Sequence, residues 1–225
     1  EIAQRLAHEI KNPLTPIRLA AERSLRKYES GSGDFDEVFH GSVNAIITEV
    51  DNLNALLTEF REFSRLPPPN IQRIAFLAVV TEVASSYAQQ SRYTIVTDGI
   101  PDEFRLDADA VQLKQVLANL FKNAMEAMPD GGEIHVGADL VKKGESSYCR
   151  IQVEDNGPGI QAEFQNTIFN PYVTTKRHGT GLGLAIVERI VFDHQGQIWF
   201  ETEPDVGTTF YIDFPFLEGT SGSGS

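Results

Sequence analysis

Three consecutive prolines, Pro67 to Pro69, constrain this chain more than any other feature. Each lacks an amide donor and fixes its own φ, so neither a helix nor a central strand can run through them. They lie inside LPPPN, residues 66–70, and the hydrophobic pattern changes across that stretch. With 225 residues there is enough chain for two separate cores. The expected organisation is a helical domain over 1–66, a stiff connector, a second domain over 71–217, and a flexible polar tail over 218–225.

The first domain reads as two long helices. Ala3, Leu6, Ile10, Leu14, Ile17, Ala21 and Leu25 recur every three or four positions, and Val43, Ile46, Val50, Leu53, Leu57 and Phe60 form a heptad-like stripe. Gly31 and Gly33 break the first helix, and Asp34 or Asp36 can cap the second. Pro13 and Pro16 inside the first helix predict a bend just after His8. A hairpin of two such helices buries too little to stand alone. Pairing with a second copy into a four-helix bundle would cover both stripes, so a homodimer is expected.

The second domain mixes the two periods. Helices are expected over 76–90, 110–128 and 183–194, and strands over 93–97, 104–107, 133–140, 148–154, 197–203 and 208–214. That order predicts an α/β sandwich, an antiparallel or mixed sheet with helices on one face. The fold class is therefore α plus α/β. A net charge of −13 argues against nucleic acid as a partner, because phosphate backbones need clustered Lys and Arg. No stretch is apolar for long enough to cross a bilayer, and Cys149, the single cysteine, fits a reducing cytoplasm. The first residue is not Met, so a fragment of a longer protein is expected, with any membrane segment lying upstream.

Four short strings carry candidate chemistry. His8, in HEIKNP, lies two positions from both Leu6 and Ile10, about 200° around the helix from each, and so should face solvent. Asn12 falls one turn below it on the same face. An exposed imidazole can attack through one nitrogen while a carboxylate such as Glu9 takes the proton from the other. Taken alone, His8 is equally well a surface histidine. Asn119 and Asn123, in NLFKNAMEA, share a helix face, and an amide oxygen is a suitable Mg²⁺ ligand; solvated asparagines would look the same.

The other two strings are glycine-rich. Asp155 ends the strand RIQVED, where it could accept a hydrogen bond from an adenine amino group while Gly157 and Gly159 let the backbone approach the ring. As a lone string, DNGPG is an ordinary turn. Gly179, Thr180, Gly181, Leu182 and Gly183 open a helix, an arrangement that cradles phosphate, with Lys176, Arg177 and His178 adding positive charge. They do not follow a strand, which speaks against a dinucleotide fold, and GK[ST] is missing, which excludes a P-loop.

In this order HEIKNP, NLFKNAMEA, DNGPG and GTGLG resemble the H, N, G1 and G2 boxes of the sensor histidine kinases. Phe169 before PYVTTK looks like the F box, and Val206 to Phe210 like the last glycine-containing box, so the resemblance runs from Glu1 to Phe216. HEIKNPLTPIRLAAERSLRKY and LLTEFREFSRLPPP are most similar to the NtrY group of nitrogen-regulation kinases.

The resemblance implies an ATP-dependent protein-histidine kinase of a two-component phosphorelay. Its dimerisation and phosphotransfer hairpin would be followed by a Bergerat-type (GHKL) ATP-binding domain. His8 would be the phosphoacceptor, Glu9 its acid/base partner, and Asn12 the residue that positions water to dephosphorylate the regulator. Asn123 would hold Mg²⁺ with Asn119 beside it, Asp155 would read adenine, and Gly157 and Gly159 would shape that pocket. Lys176, Gly179, Thr180, Gly181, Leu182 and Gly183 would surround the phosphates in a short lid. Thr208 or Thr209, with Thr209 the one assigned to the nucleotide site, would support the adenine through Asp155 or water. The implied partner is the receiver domain of a response regulator. The implied location is the cytoplasm, with a parent protein anchored in the inner membrane, and the second domain should swing on the proline connector. An ATPase of the same fold that does not phosphorylate itself, and a scaffold with a vestigial site, are the alternatives.

Overall fold

A computed structural model describes residues 2–31, 33–87, 92–174, 176 and 179–216, with side chains described from residue 10 onward. The chain forms two compact units. One comprises 1–65 with 174–180, and the other 66–173 with 181–225.

In the first unit, α1 (Ile2–Glu29) and α2 (Phe35–Ser64) form a hairpin. Both Pro13 and Pro16 lie within α1, and the helix continues through them. Thr15 Oγ1 donates to the Lys11 carbonyl at 3.2 Å, a back-bond of the kind that accompanies helix bending. At the turn, Gly31 takes φ 61°, and Lys27 Nζ donates to both carboxylate oxygens of Asp34 at 3.0 and 2.8 Å. Asp34 holds the N-cap position of α2, yet its side chain caps no helix amide; the carboxylate closes the turn through Lys27 instead. Tyr28, Phe35 and Phe39 pack with tilted rings along the same end, with ring centroids 5.7 and 5.5 Å apart. Val38, Ser42 and Leu56 are buried, whereas Leu14, Leu25, Val50 and Leu57 of the two stripes remain exposed.

The second unit is built on a five-stranded mixed sheet of β2 (Tyr93–Gly99), β4 (Gly132–Lys143), β5 (Ser146–Asp155), β7 (Gly207–Pro215) and β6 (Gln197–Glu203), in that spatial order. β2 runs parallel to β4, and the remaining pairs are antiparallel. Strand alternation sends Cys149, Ile151 and Val153 to one face, with Ile212 and Phe214 beside them. There they pack with the buried sides of α3 (Phe76–Ser85), α4 (Ala110–Ala127) and α6 (Gly183–Asp193), among them Val80, Leu117, Leu120, Ile186 and Ile190. Burying this much aliphatic side chain, at about 25 cal/mol per Å², is the main source of stability. The opposite face is polar and aromatic. There Asp213 is fully buried beneath Arg150 and Lys143, and Trp199 stacks on Tyr211.

Three elements differ from the sequence expectation. α3 ends at Ser85 rather than running to residue 90, and 88–91 lie outside the described residues. β1 (Gln72–Ala75) was not foreseen. It is set by pairing with β3 (Arg105–Ala108), thirty-odd residues away, and a strand made by a distant partner leaves little local pattern. α5 (Ala162–Gln165) is a single turn.

Candidate functional site

The site is organised by one face of α4. Asp109 starts this helix, its side chain accepting hydrogen bonds from the Val111 and Gln112 amides at 2.9 and 3.0 Å. Leu113, Val116, Leu117 and Leu120 turn into the core. That leaves Asn119, Asn123 and Ala127, spaced by four, in a row on another face. Asn119 Nδ2 donates to the Gln115 carbonyl at 2.9 Å, which leaves its amide oxygen directed elsewhere. The side-chain nitrogen of Asn123 is buried and has no hydrogen-bond partner. Such a group costs about 1–3 kcal/mol unless something answers it. Rotation of the amide presents either its oxygen or its nitrogen at that position.

Two glycine loops meet the ends of this row. At one end α6 begins at Gly183, where a β-carbon would lie 3.0 Å from Asn119 Oδ1 and 3.9 Å from Asn123 Nδ2. The free amides at the start of α6 are thus brought to the two asparagines, a combination suited to an anion with its counter-cation. Leu182, fully buried, fixes the entry to the helix. Gly181 takes φ 66°, and its carbonyl accepts the Tyr172 amide at 2.9 Å. At the other end, a β-carbon on Gly157 would lie 3.7 Å from Ala127 Cβ.

Asp155 closes the site at the end of β5. It is 8% exposed, its Oδ1 accepts the Gly157 amide at 2.9 Å, and the Thr208 amide also donates to the carboxyl. Burial pushes its pKa above the ordinary aspartate range, the two amides pull it down, and the Glu154 charge adds to the rise. A buried carboxyl held above its normal pKa is a candidate ligand group. Gly207 lies so close that a β-carbon there would collide with the Asp155 carbonyl oxygen. Gly159 packs against β6: a β-carbon on it would come within 2.7 Å of the Glu203 carbonyl.

Register separates the two candidate threonines. Thr208 lies opposite Asp155, is buried, and its hydroxyl sits 3.1 Å from that of Thr202. Thr209 lies opposite Glu154 and Glu201, on the other face of the sheet from Asp155. The alternation of β7 therefore makes Thr208, rather than Thr209, the neighbour of the acidic residue.

Lys176, Gly179 and Thr180 belong to the segment 174–180, which clusters with the helical unit. Within it the Gly179 amide donates to the Lys176 carbonyl at 3.3 Å, and the Lys176 amide donates to Thr174 Oγ1 at 3.1 Å. Arg177 and His178 lie outside the described residues. In α1 the backbone of His8 and Glu9 is helical, and their side chains lie outside the described residues. Asn12 is exposed on the same helix. The DNGPG motif contains Asn156 but gave it no role; its Oδ1 accepts the Glu133 amide at 2.9 Å and pins β4 behind the loop. Nor did the motifs point to Thr202, whose hydroxyl accepts the Ile160 amide at 2.9 Å. Both act through hydrogen bonds to residues far away in sequence.

A buried carboxyl at a strand end, an asparagine row and a glycine-rich helix start thus lie together on a mixed sheet, in a chain that begins with a helical hairpin. Residues 108–218 match the family described as histidine kinase-, DNA gyrase B- and HSP90-like ATPase, and residues 1–69 match the His Kinase A (phospho-acceptor) domain. The chain belongs to the sensor histidine kinases, and its ATPase domain is an ATP-binding one. Its similarity is to the NtrY-like group. It is 34% identical over 219 residues to a putative sensor histidine kinase NtrY-like of Rickettsia prowazekii, covering 97% of this chain and 36% of that protein. It is 35% identical over 235 residues to the nitrogen regulation protein NtrY of Azorhizobium caulinodans, covering 99% of this chain and 30% of that protein. The chain thus spans about a third of the length of these relatives. Among solved structures, the histidine kinase ThkA in complex with the response regulator protein TrrA superposes with a TM-score of 0.71 at 28% identity, over 96% of this chain and 61% of that one.

Proposed function

We propose that this chain is the catalytic core of a two-component kinase that phosphorylates its own His8 from ATP and passes the phosphoryl group to an aspartate on a response regulator. The observation that carries this reading is the buried side-chain nitrogen of Asn123, which lacks a hydrogen-bond partner beside the start of α6. An amide at that position can turn its nitrogen to a phosphate oxygen or its oxygen to a hard cation. In the proposed division of labour, residues 1–66 dimerise and carry the acceptor, 71–217 hold the nucleotide, and 218–225 form a linker.

Asn123, with Asn119 beside it, would hold Mg²⁺, which when bound neutralises phosphate charge. Asp155 would accept the adenine amino proton, and Thr208 would fix that carboxylate through its amide. The amides at the start of α6, with Lys176, Gly179 and Thr180, would hold the phosphates. His8 would attack the γ-phosphorus through one ring nitrogen, breaking the bond to the bridging oxygen and releasing ADP. Glu9 would take the proton from the other nitrogen. The work is positioning and charge neutralisation rather than covalent chemistry by other residues.

The exposed Leu14, Leu25, Val50 and Leu57 support pairing with a second copy, which would bury both stripes. The complex of ThkA with TrrA supports a receiver domain as the partner, and Asn12 would position the water that dephosphorylates it. Among the described residues no helix is long and apolar enough to cross a membrane, so an inner-membrane anchor would belong to other segments of a longer parent.

The deciding experiment is incubation with γ-labelled ATP. The expected product is acid-labile, base-stable label that disappears in His8→Ala while nucleotide binding persists. Acid-stable label, or acid-labile label that persists in His8→Ala, overturns the assignment.

A further inference from the structure

The proline connector is bolted to the nucleotide unit. Gln112, 4% exposed in the first turn of α4, donates from Nε2 to the Pro67 carbonyl at 2.8 Å. Three residues on, the Asn70 amide donates to Asp109 Oδ2 at 2.9 Å, while Asp109 Oδ1 is occupied with the start of α4. Burial pushes the Asp109 pKa up, but the amides of Gln112, Asn70 and Val111 outweigh it and hold this carboxylate below its ordinary range. Behind it, the Asp109 amide donates to Nε2 of the buried His194 at 3.0 Å, and His194 Nδ1 donates to the Ile190 carbonyl at 2.8 Å. A backbone amide can only donate, so Nε2 is the ring's acceptor and Nδ1 its donor. The connector is thus tied through the start of α4 to the end of α6, the helix whose other end meets Asn119 and Asn123.

Downstream, β1 begins at Gln72, two residues after Asn70, and pairs with β3 up to Ala108, next to Asp109. Upstream, α2 ends at Ser64, and Arg65 caps it by donating its amide to the Arg61 carbonyl at 3.0 Å. The prolines between are intrinsically stiff. Between the last bond of α2 and the first bond of the clamp, Leu66 is the residue left without either restraint.

We infer that the hinge between the two units is the Arg65–Leu66–Pro67 junction rather than the proline run, and that Gln112 and Asp109 are positioning residues that make residues 67–70 a rigid arm of the nucleotide unit. The inference rests on the kinase reading above, because only a reaction joining the two units senses the hinge. A short pivot keeps the nucleotide at high effective concentration near the acceptor. Losing the Gln112 bond moves the pivot out toward Asn70, so the nucleotide explores a larger volume and encounter is expected to fall about fivefold.

Two variants and two readouts test it. Gln112→Ala removes the donor. Gln112→Met removes it at similar length with an uncharged, good helix-forming side chain that suits a buried position, so this variant leaves α4 itself intact. In both variants the single-turnover autophosphorylation rate is expected to fall about fivefold, with the KM for ATP changed less than twofold. Hydrogen exchange at the Asn70 amide, protected in the wild type, is expected to accelerate in both. A role confined to stabilising α4 would leave Gln112→Met at the wild-type rate, and that result overturns the inference. So does an Asn70 amide that exchanges without protection in the wild type. The exchange measurement needs no phosphorylation, so failure of the kinase reading, seen as no labelling of the wild-type chain, is distinguishable from failure of the clamp.

Discussion

Gly183 opens α6 so close to Asn119 that a β-carbon at that position would lie 3.0 Å from the Asn119 amide oxygen. The contact is made by absence: a residue without a side chain lets one helix start against the polar row of another. Asn119 cannot easily yield, because its nitrogen is held by the Gln115 carbonyl at 2.9 Å. Gly183→Ala is therefore expected to displace the start of α6 and cost about 1–3 kcal/mol of stability as an overpacking defect. The same displacement should weaken nucleotide binding about tenfold, or about 1.4 kcal/mol. Calorimetric titration with an ATP analogue checks the binding, and denaturant unfolding checks the stability. An alanine variant that binds nucleotide as the wild type does would remove Gly183 from the site.

Asp155 sets function against stability. Its folded pKa is raised chiefly by burial, so ionising it costs free energy that the unfolded chain does not pay. For a raised carboxyl the sign is fixed. The contribution to stability is fully present below the unfolded value and is lost as pH rises through the folded one. At neutral pH the nucleotide-free protein therefore carries a charged group it would be better without. Asp155→Asn is expected to raise the nucleotide-free Tm at pH 7, with the gain vanishing in acid as the wild-type carboxyl protonates. It is also expected to weaken ATP binding by about 1.5–3 kcal/mol, because the adenine amino group loses a charged acceptor. Thermal melts across pH with and without nucleotide test both halves. A variant destabilised at pH 7 contradicts the first.

Asn123→Ala separates the metal from the rest of the site. The wild-type side-chain nitrogen is buried without a hydrogen-bond partner, so removing it should cost the nucleotide-free fold little. What should disappear is the gain in ATP affinity on adding Mg²⁺, while metal-free nucleotide binding stays within about twofold, well under 1 kcal/mol. Titrations with and without Mg²⁺ read the difference. An undiminished Mg²⁺ effect would assign the metal to other ligands.

What could be read from the sequence follows from how local each signal is. α4 and β5 were legible because amphipathic periods and a strand ending in Asp155 are written in contiguous residues. The asparagine row needs only spacing by four on a helix already recognised. β1 was invisible because its partner β3 lies far along the chain. The choice between Thr208 and Thr209 depends on β5–β7 register, and a shift of one residue exchanges the two faces. The connector read as stiff from its prolines, but its attachment to the nucleotide unit was not legible, because the restraints come from Gln112 and Asp109, residues that α4 alone would explain as surface and cap.

The open face of the sheet supplies a test of stability independent of the nucleotide. Asp213 has no exposed surface, yet Arg150 reaches it with two parallel bonds, Nε to Oδ1 at 2.8 Å and a terminal nitrogen to Oδ2 at 2.9 Å. Lys143 adds a third at 2.8 Å. Arg150 also lies 4.8 Å from the centre of the Trp199 ring, which stacks on Tyr211 at 12°. Burial raises the Asp213 pKa, but the bonds from Arg150 and Lys143 prevail and hold it below the ordinary carboxylate range. A depressed carboxyl contributes stability that is present above its unfolded value, near 3.9, and is lost as pH falls through the folded one. Arg150→Met keeps the hydrocarbon stem over Trp199 and removes the fork, leaving a buried carboxylate with one cation. The expected loss at pH 7 is about 3 kcal/mol, at the low end for a broken buried pair because Lys143 remains. The difference from wild type should shrink below about pH 4, where the unpaired carboxyl takes up a proton. Urea unfolding at pH 7 and pH 3 measures both. A loss that is the same at the two pH values would mean that Arg150 acts through packing on Trp199 rather than through its charge.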